Sequence, residues 1–134
     1  MVNNINEEHG QLIPAISELF DCAGDTNTTV SLVVGEAIGL GYTAFVAKNS
    51  GCDYALAFED AYIGTLSGEA TAALLYQEEI KTAADPDEAT KKLAESYGKE
   101  NCCAVAVGES GFIDNVIPRE FARKYLAAIM EYMG

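Results

Sequence analysis

The chain has 134 residues, enough for one domain with a buried core but too few for two. Eight Lys and Arg residues stand against 21 Asp and Glu residues, and the resulting net charge of -13 disfavours binding to nucleic acid or to an anionic membrane. The first basic residue is Lys48. An anionic ligand bound before that position would therefore meet backbone amides, the later Lys and Arg side chains, or another chain.

Cysteine and histidine usage limits the chemistry further. Cys22, Cys52, Cys102 and Cys103 form no C-x-x-C motif, and the polar N-terminus lacks the basic region of a signal peptide. We therefore expect a cytoplasmic protein with reduced, mostly buried thiols. His9 is the only histidine, so a His-based zinc site or a Ser-His-Asp triad within one chain is nearly excluded, and we predict no metal site. No apolar run reaches the roughly 18 residues that a membrane-spanning helix needs.

The first half of the chain predicts a helix, a strand, a glycine-rich turn and a second helix. Apolar residues recur at helical spacing from about Glu8 to Cys22. Thr28 to Val34 is β-branched and almost uniformly apolar, which is typical of a buried strand. Three glycines between residues 35 and 41 predict a turn. The segment from Tyr42 to Asn49 is rich in small residues and predicts a helix that packs closely against its neighbours.

The second half alternates predicted strands and helices, which indicates α/β architecture. Strands are predicted at Cys52 to Phe58 and Ala61 to Leu66, and helices from Ser67 to about Thr82 or Ala84, from Asp85 to Tyr97 with a stop at Gly98, and from Arg119 to about Met133. Cys102 to Val107 fits either a short strand or a buried helical turn. In the last helix, the predicted inner face is Phe121, Leu126, Ile129, Met130 and Met133.

The turn Gly39-Leu40-Gly41-Tyr42 is the candidate functional motif. A glycine turn between a buried strand and a helix presents free backbone N–H groups, which can bind a phosphate or stabilise an oxyanion. The same short pattern is typical of a tight turn that only lets a helix pack closely on a strand. It is not the dinucleotide motif G-x-G-x-x-G, because residue 44 is Ala, and it is not a P-loop.

Five blocks in a fixed order carry a family resemblance. They are Gly39-Leu40-Gly41-Tyr42, Asp53-Tyr54-Ala55-Leu56-Ala57, Ala61-Tyr62-Ile63-Gly64-Thr65-Leu66, Gly68-Glu69-Ala70-Thr71-Ala72-Ala73-Leu74-Leu75-Tyr76, and Gly111-Phe112-Ile113-Asp114-Asn115-Val116-Ile117 with Arg123-x-x-Leu126 beyond. From about Val30 to Met133 this order resembles the C-terminal half of the carboxyltransferase proteins of biotin-dependent acyl-CoA carboxylases and decarboxylases. The resemblance implies a crotonase-like α/β fold, a partial spiral of β-β-α units with a small sheet flanked by helices. Residues 1–134 would form a single domain.

The resemblance also implies a function for the turn. The peptide N–H groups of Leu40 and Gly41 would be the catalytic oxyanion hole on the carboxyl-biotin side, and Gly39 to Tyr42 would bind the cofactor. Biotin on a partner carrier protein and a CoA ester are the implied cofactors. The implied partners are the biotin carrier or a complementary carboxyltransferase half, in a homo- or hetero-oligomer. The family has Gly where this chain has Leu40, and Thr where it has Ala122.

Two alternatives stay open. A truncated, non-catalytic relative would act as a scaffold or partner subunit, and it would tolerate Leu40 at the turn. Another crotonase-like activity, on a CoA ester or as a malonate decarboxylase, would need a placed carboxylate, for which Glu36 and Glu69 are the nominal candidates. Among the tyrosines, Tyr42, Tyr54, Tyr62 and Tyr76 could line a pocket, although packing at the core or its rim is their commoner role.

Overall fold

Two small parallel sheets form the centre of the chain. A computed structural model describes residues 12–25 and 28–133. The strands are β1 (Val30–Val33), β2 (Glu36–Ile38), β3 (Tyr54–Phe58), β4 (Tyr62–Gly64) and β5 (Asn115–Ile117). One sheet has the order β1-β3-β5 and the other pairs β2 with β4, and every pairing is parallel.

Helices follow the strands. They are α1 (Ile13–Gly24), α2 (Leu40–Phe45), α3 (Gly68–Leu75), α4 (Gln77–Thr82), α5 (Pro86–Tyr97), α6 (Ala104–Glu109) and α7 (Ala122–Met133), with a π-helical turn at Gly98–Cys102 and 3₁₀ turns at Lys48–Ser50 and Arg119–Phe121. The order β1, β2, α2 is repeated as β3, β4, α3, so each turn of the chain adds one strand to each sheet. This is the spiral of β-β-α units that the family resemblance implies.

The core lies on both faces of the three-stranded sheet because successive side chains of a strand point to opposite faces. On the inner face, Ala55 and Ala57 of β3 pack against a cluster that includes Ile63 of β4. On the outer face, Leu56 and Ile117 have no exposed surface and pack under α7. The alanines of β3 let the two sheets and α6 approach closely.

Local capping chemistry explains where two helices begin. Ser67 accepts a hydrogen bond from the N–H of Ala70 at 3.2 Å and starts α3. Asp85 accepts from the N–H groups of Asp87 and Glu88, each at 3.1 Å, and Pro86 is the first residue of α5. Both predicted helix starts are confirmed.

The glycine-rich segment differs from its prediction. It contains the strand β2, whose Ala37 is buried opposite Ile63. The helix after it begins at Leu40 rather than Tyr42 and ends at Phe45. A strand of three residues is too short to show a period of two, and the glycines around it predict a turn instead.

Three helical segments also differ from expectation. The helix predicted from Ser67 to about Thr82 or Ala84 is divided at Tyr76 into α3 and α4. Gly98 does not stop α5 but continues it into the π-helical turn. The segment from Cys102 to Val107, left open between strand and helix, leads into the helix α6.

The inner face predicted for the last helix is confirmed at Leu126 and Ile129 and is wrong at Phe121 and Met130. Ala122, Leu126 and Ile129 pack against the outer face of the sheet, whereas Phe121 is 44% and Met130 59% exposed. The 3₁₀ turn before α7 has a different period, so the predicted stripe was out of phase at its start.

The remaining expectations concern termini, thiols and membranes. The start of the first helix, expected at about Glu8, lies outside the described residues. The thiols are free, with Cys52 and Cys102 buried, Cys103 half-buried and Cys22 exposed. Within residues 12–25 and 28–133 no helix has both the length and the apolar character to cross a membrane. That residues 1–134 form a single domain stays a prediction.

Candidate functional site

The glycine turn is built around one residue with an unusual backbone conformation. Gly39 has φ 59° and ψ −126°, a region that is essentially restricted to glycine. Its N–H donates to the carbonyl of Gly64 at 3.1 Å, and its carbonyl accepts from the N–H of Thr43 at 3.0 Å. The first of these bonds joins the start of α2 to the end of β4, and the second closes the first turn of α2.

The amides of the turn follow from this geometry. Leu40, Gly41 and Tyr42 are the first three residues of α2, so their N–H groups have no acceptor within that helix. Among the described residues, no hydrogen bond to another element or to a side chain is recorded from the N–H of Leu40 or Gly41. The turn therefore holds the unpaired donors that an anion or oxyanion requires.

A second helix begins at the same edge. Because β2 and β4 are parallel, the turn after β2 and the segment after β4 leave the sheet side by side. The segment after β4 leads through Thr65 and Leu66 to the Ser67 cap of α3. This helix start is satisfied by its own side chain, unlike the start of α2.

A cavity of about 220 Å³ opens beside this edge. Its walls come from the end of β4 and the residues after it, from Tyr42 and Thr71, from the end of α5 with the π-helical turn, and from α6 and the loop after it. Tyr97, Asn101 and Cys102 supply polar atoms, and Ile63, Leu66, Val107 and Phe112 supply apolar surface. Burial raises the pKa of the Tyr42 phenol above its usual value.

The structure brings only part of the predicted site to this cavity. Tyr42 lies on its wall, and Gly39 is bonded to Gly64, which also lines it. Gly41 is buried and faces a different groove, of about 400 Å³, that runs along β1. Leu40 is half-buried and lines neither space. The turn thus separates the cavity from the groove.

Tyr62 packs against two glycines and the Cys102 thiol, and Cys102 lines the cavity. A Cβ at Gly98 would lie 2.9 Å from Cε2 of Tyr62, and one at Gly68 would lie 3.1 Å from its Oη. Burial and a hydrogen bond with the Cys102 thiol raise the pKa of Tyr62, so the phenol stays neutral. The ring fixes the start of α3 and the π-helical turn relative to β4. No motif in the sequence links Tyr62 to Gly68 and Gly98, so this contact could not be predicted.

The charged residues near the strands serve the fold. Asp114 accepts from the N–H of Ala55 at 2.8 Å and from Lys48 Nζ at 2.6 Å. Asp60 pairs with Arg119 at 2.7 Å, and this hydrogen bond lowers the pKa of the Asp60 carboxyl. Across the described ranges no three His, Cys, Asp or Glu side chains are grouped so as to hold a metal ion.

Comparison with known proteins decides the family. Residues 4–132 match the family model described as "Carboxyl transferase domain". The chain belongs to this family. It is 32% identical over 120 residues to the putative propionyl-CoA carboxylase beta chain of Bacillus subtilis, a match that covers 89% of this chain and 24% of that protein. It is 26% identical over 128 residues to the methylmalonyl-CoA carboxyltransferase 12S subunit of Propionibacterium freudenreichii, covering 95% of this chain and 24% of that subunit. The chain thus spans about a quarter of the length of these curated relatives.

Solved structures confirm the crotonase-like fold of this carboxyl transferase domain. The transcarboxylase 12S structure with methylmalonyl-coenzyme A bound superposes with a TM-score of 0.82 at 23% identity, over 98% of this chain and 26% of the other. The beta subunit of Pseudomonas aeruginosa geranyl-CoA carboxylase gives a TM-score of 0.73 at 16% identity, over 99% of this chain and 26% of the other. The family resemblance that we identified from Val30 onward therefore holds, and it extends into the N-terminal region.

Proposed function

We propose that this chain contributes the carboxyl-biotin side of an acyl-CoA carboxyltransferase site. The N–H groups of Leu40 and Gly41 would donate to the oxygen of the biotin ureido group as negative charge develops there. Gly39 would set the direction of these N–H groups, and Tyr42 would border the bound ring. Backbone donors placed in this way are worth about 3–4 kcal/mol each, or roughly 10²–10³ in rate.

The observation that carries this proposal is the Gly39 turn. A φ of 59°, a bond to the Gly64 carbonyl and unpaired amides at Leu40 and Gly41 coincide in one turn, and the next residue, Tyr42, lines the cavity. The neighbouring start of α3 differs, because the Ser67 side chain accepts from one of its N–H groups.

The cavity fits biotin better than it fits a CoA ester. Its volume of about 220 Å³ is smaller than the roughly 300 Å³ at which sites for drug-sized ligands begin, so it suits a small ring system. Biotin on a partner carrier protein would supply the transferable carboxyl group. The side chains of this chain would border the ring, exclude water and keep the Tyr42 phenol protonated.

The CoA ester would be bound mainly outside this chain. The relatives named above include proteins for propionyl-CoA and methylmalonyl-CoA, and one solved relative is described as a hexamer. We infer that an acyl-CoA is the carboxyl acceptor or donor here too. A complementary carboxyltransferase half, in a homo- or hetero-oligomer, would bind it and complete the site.

The binding part of the proposal is tested by NMR on the isolated chain. Titration with biotin methyl ester should shift the amide resonances of Leu40, Gly41 and Tyr42. Diaminobiotin, which lacks the ureido carbonyl, is the control ligand and should leave the Leu40 and Gly41 amides unmoved. Equal shifts with both ligands, or none with either, would overturn the proposed role of the turn.

Substitutions at the glycines give a matched comparison. Gly39→Ala should abolish the biotin-dependent shifts, since an L side chain rarely adopts its φ. Gly24→Ala is the control, because a Cβ there has no atom within 4 Å. In an assembled complex, Gly41→Val should lower carboxyl transfer by about 10²–10³, whereas Gly24→Ala should not.

A non-catalytic scaffold is the second candidate function, and Leu40 favours it. A leucine side chain beside the donors narrows the approach of a ligand to them. A chain that forms a stable complex with a carboxyltransferase partner but shifts no amide on addition of biotin would establish this alternative. Leu40→Gly would then be expected to create biotin binding.

A further inference from the structure

The cavity beside α2 has a neutral wall. None of the described residues that line it is charged, in a chain that has 8 basic and 21 acidic residues. Its polar side chains are the hydroxyls of tyrosine and threonine, one thiol and one amide, which belongs to Asn101. A charged ligand would lose its hydration in this cavity without gaining an ion pair. The cavity therefore suits a neutral ligand that carries its own hydrogen-bonding groups.

The amide comes from the π-helical turn Gly98–Cys102, which continues α5 into the wall of the cavity. Such turns are rare, and they are frequent at functional sites. Tyr97, Asn101 and Cys102, from the start to the end of this turn, all line the cavity. One short segment thus supplies three of the polar side chains that a ligand would meet.

A hydrogen bond fixes the orientation of the Asn101 side chain. Its Nδ2 donates to the carbonyl of Tyr97 at 3.2 Å. Because a carbonyl only accepts, this bond identifies the nitrogen end of the amide and leaves Oδ1 as the other end. Among the described residues no hydrogen bond to Oδ1 is recorded. Asn101 therefore offers an acceptor without a partner at the wall of the cavity.

This acceptor differs from the other polar groups of the wall. The hydroxyl of Thr71 donates to the carbonyl of Ser67 at 2.9 Å, and the thiol of Cys102 is bonded to Tyr62. Hydroxyl and thiol groups both donate and accept, whereas an amide oxygen only accepts. A ligand that satisfies Asn101 must therefore present an N–H or O–H group.

We propose that Oδ1 of Asn101 accepts a hydrogen bond from a ureido N–H of biotin and thereby makes the cavity specific for the ureido ring. The inference rests on the proposed function for the identity of the ligand. Of the two ureido nitrogens, one takes the carboxyl group and the other keeps its N–H throughout, and the bond to Asn101 is assigned to the second. The acyl chain and thioester of a CoA ester have no N–H to donate, so Asn101 favours the ureido ring over them.

The two binding elements have separate tasks in this arrangement. The turn at Gly39 would hold the ureido oxygen, and the π-helical turn would hold the N–H. Gly64 connects the two elements, because it accepts from the N–H of Gly39 and also lines the cavity. A few placed polar groups in an otherwise apolar cavity are what fixes the orientation of a small ligand.

The test compares two ligands by NMR on the isolated chain. One is biotin methyl ester, and the other is the same ester methylated on the ureido nitrogen that takes no carboxyl group. The first should shift the side-chain amide resonances of Asn101, and the methylated ester should bind about five- to tenfold more weakly. Asn101→Ala should weaken the binding of biotin methyl ester by the same factor. This variant should bind the methylated ester at least as well as the wild type does, because the shorter side chain leaves room for the methyl group.

Asn115→Ala is the matched control. Asn115 is an exposed asparagine in β5 and does not line the cavity, so this variant should bind both ligands like the wild type. Thermal unfolding checks that both variants fold. Equal weakening of both ligands by Asn101→Ala would mean that the side chain only supports the wall, and it would overturn the proposal. An unchanged affinity for biotin methyl ester would overturn it as well.

Failure of this inference is distinguishable from failure of the proposed function. Shifts of the Leu40 and Gly41 amides that are the same in the wild type and in Asn101→Ala would sustain the role of the turn and overturn that of Asn101. Binding that depends on Asn101 but leaves the Leu40 and Gly41 amides unmoved would sustain the role of Asn101 and overturn that of the turn. Absence of any binding would overturn both.

Discussion

The two sheets of this carboxyl transferase domain are held together by different means. The sheet β1-β3-β5 is packed with aliphatic side chains on both faces, and Leu56 and Ile117 at its centre have no exposed surface. The sheet β2-β4 buries Ala37 and Ile63 on one face, and Tyr62 of β4 fits against two glycines beside a cavity. The first arrangement provides stability and tolerates no loss of volume. The second sets the positions of backbone groups and tolerates no gain of volume.

Truncation at the centre of the first sheet should have the largest effect. Leu56→Ala removes a fully buried side chain between β3 and α7, and we expect a loss of about 2–5 kcal/mol in the free energy of unfolding. Urea denaturation measures it. Leu74→Ala, at a position 69% exposed, is the control and should change the free energy by less than about 0.5 kcal/mol. Equal losses in the two variants would contradict the assignment of the core.

An added methyl group should be the next most harmful change, in the second sheet. Gly98 has helical dihedrals, so Ala there would ordinarily stabilise by up to about 1 kcal/mol. A Cβ at 2.9 Å from the Tyr62 ring reverses the sign, and we expect Gly98→Ala to cost about 1–3 kcal/mol. Urea denaturation again gives the value.

A double-mutant cycle isolates the cause of that loss. In a Tyr62→Ala background the clash is absent, and Gly98→Ala should become neutral or stabilising. Gly24→Ala, where the added Cβ meets no atom within 4 Å, should be unaffected by the Tyr62 change. If the cost of Gly98→Ala is the same with and without the Tyr62 ring, the tyrosine–glycine fit is not what holds this sheet.

The same contrast explains how much could be predicted from the sequence. An apolar β-branched run predicted β1, and Ser67 and Asp85-Pro86 predicted two helix starts, because these signals are local. The strand β2 was missed, since three residues among glycines carry no period. Phe121 was wrongly assigned to the inner face of the last helix because it lies in the 3₁₀ turn, which has a different period.

The residues of the candidate site could also be predicted only in part. The turn from Gly39 to Tyr42 could be named from the order of motifs, but only Tyr42 lines the cavity, and Gly41 faces the groove along β1. Tyr97, Asn101 and Cys102 could not, because they reach the cavity only through the packing of α3 against α5 and the π-helical turn. Contacts between residues so far apart in the chain follow from the assembled fold and leave no mark in a single sequence.

The pH dependence of the free energy of unfolding tests the fit of Tyr62 in the sheet β2-β4. Burial raises the pKa of this phenol, so above about pH 10 the unfolded chain releases a proton that the folded chain retains. The folded state then binds more protons, and the free energy of unfolding falls as pH rises, by at most about 1.4 kcal/mol per pH unit from this group. Tyr62→Phe should lower the free energy of unfolding by about 1 kcal/mol near neutral pH, because it removes the hydrogen bond with Cys102. The free energy of unfolding of this variant should also fall less steeply as the pH rises above about 10.

Urea denaturation from about pH 8 to about pH 11 measures both effects of the Tyr62 change. Tyr132→Phe, at a position 91% exposed, is the matched control and should follow the wild-type profile. A Tyr62→Phe profile parallel to that of the wild type would mean that the ring is not held in a desolvated fit.

The smallest effect is expected at the exposed pair Asp60–Arg119, which joins the loop after β3 to the turn after β5. The hydrogen bond from Arg119 lowers the pKa of Asp60, so its contribution to stability is present above the usual pKa of an Asp and is lost as pH falls through the lowered value. Arg119→Gln should return the Asp60 pKa toward the ordinary range, as measured by NMR of the carboxyl carbon, while Arg123→Gln should not.

Asp60→Asn should lower the unfolding temperature only slightly, because exposed ion pairs contribute little. Arg119→Gln should lower it further, since this side chain also donates to the Val34 carbonyl at 3.1 Å and lies over the Phe58 ring. Equal effects of the two changes would mean that the charge pair alone holds this end of the three-stranded sheet, and that the stacking on Phe58 adds nothing to it.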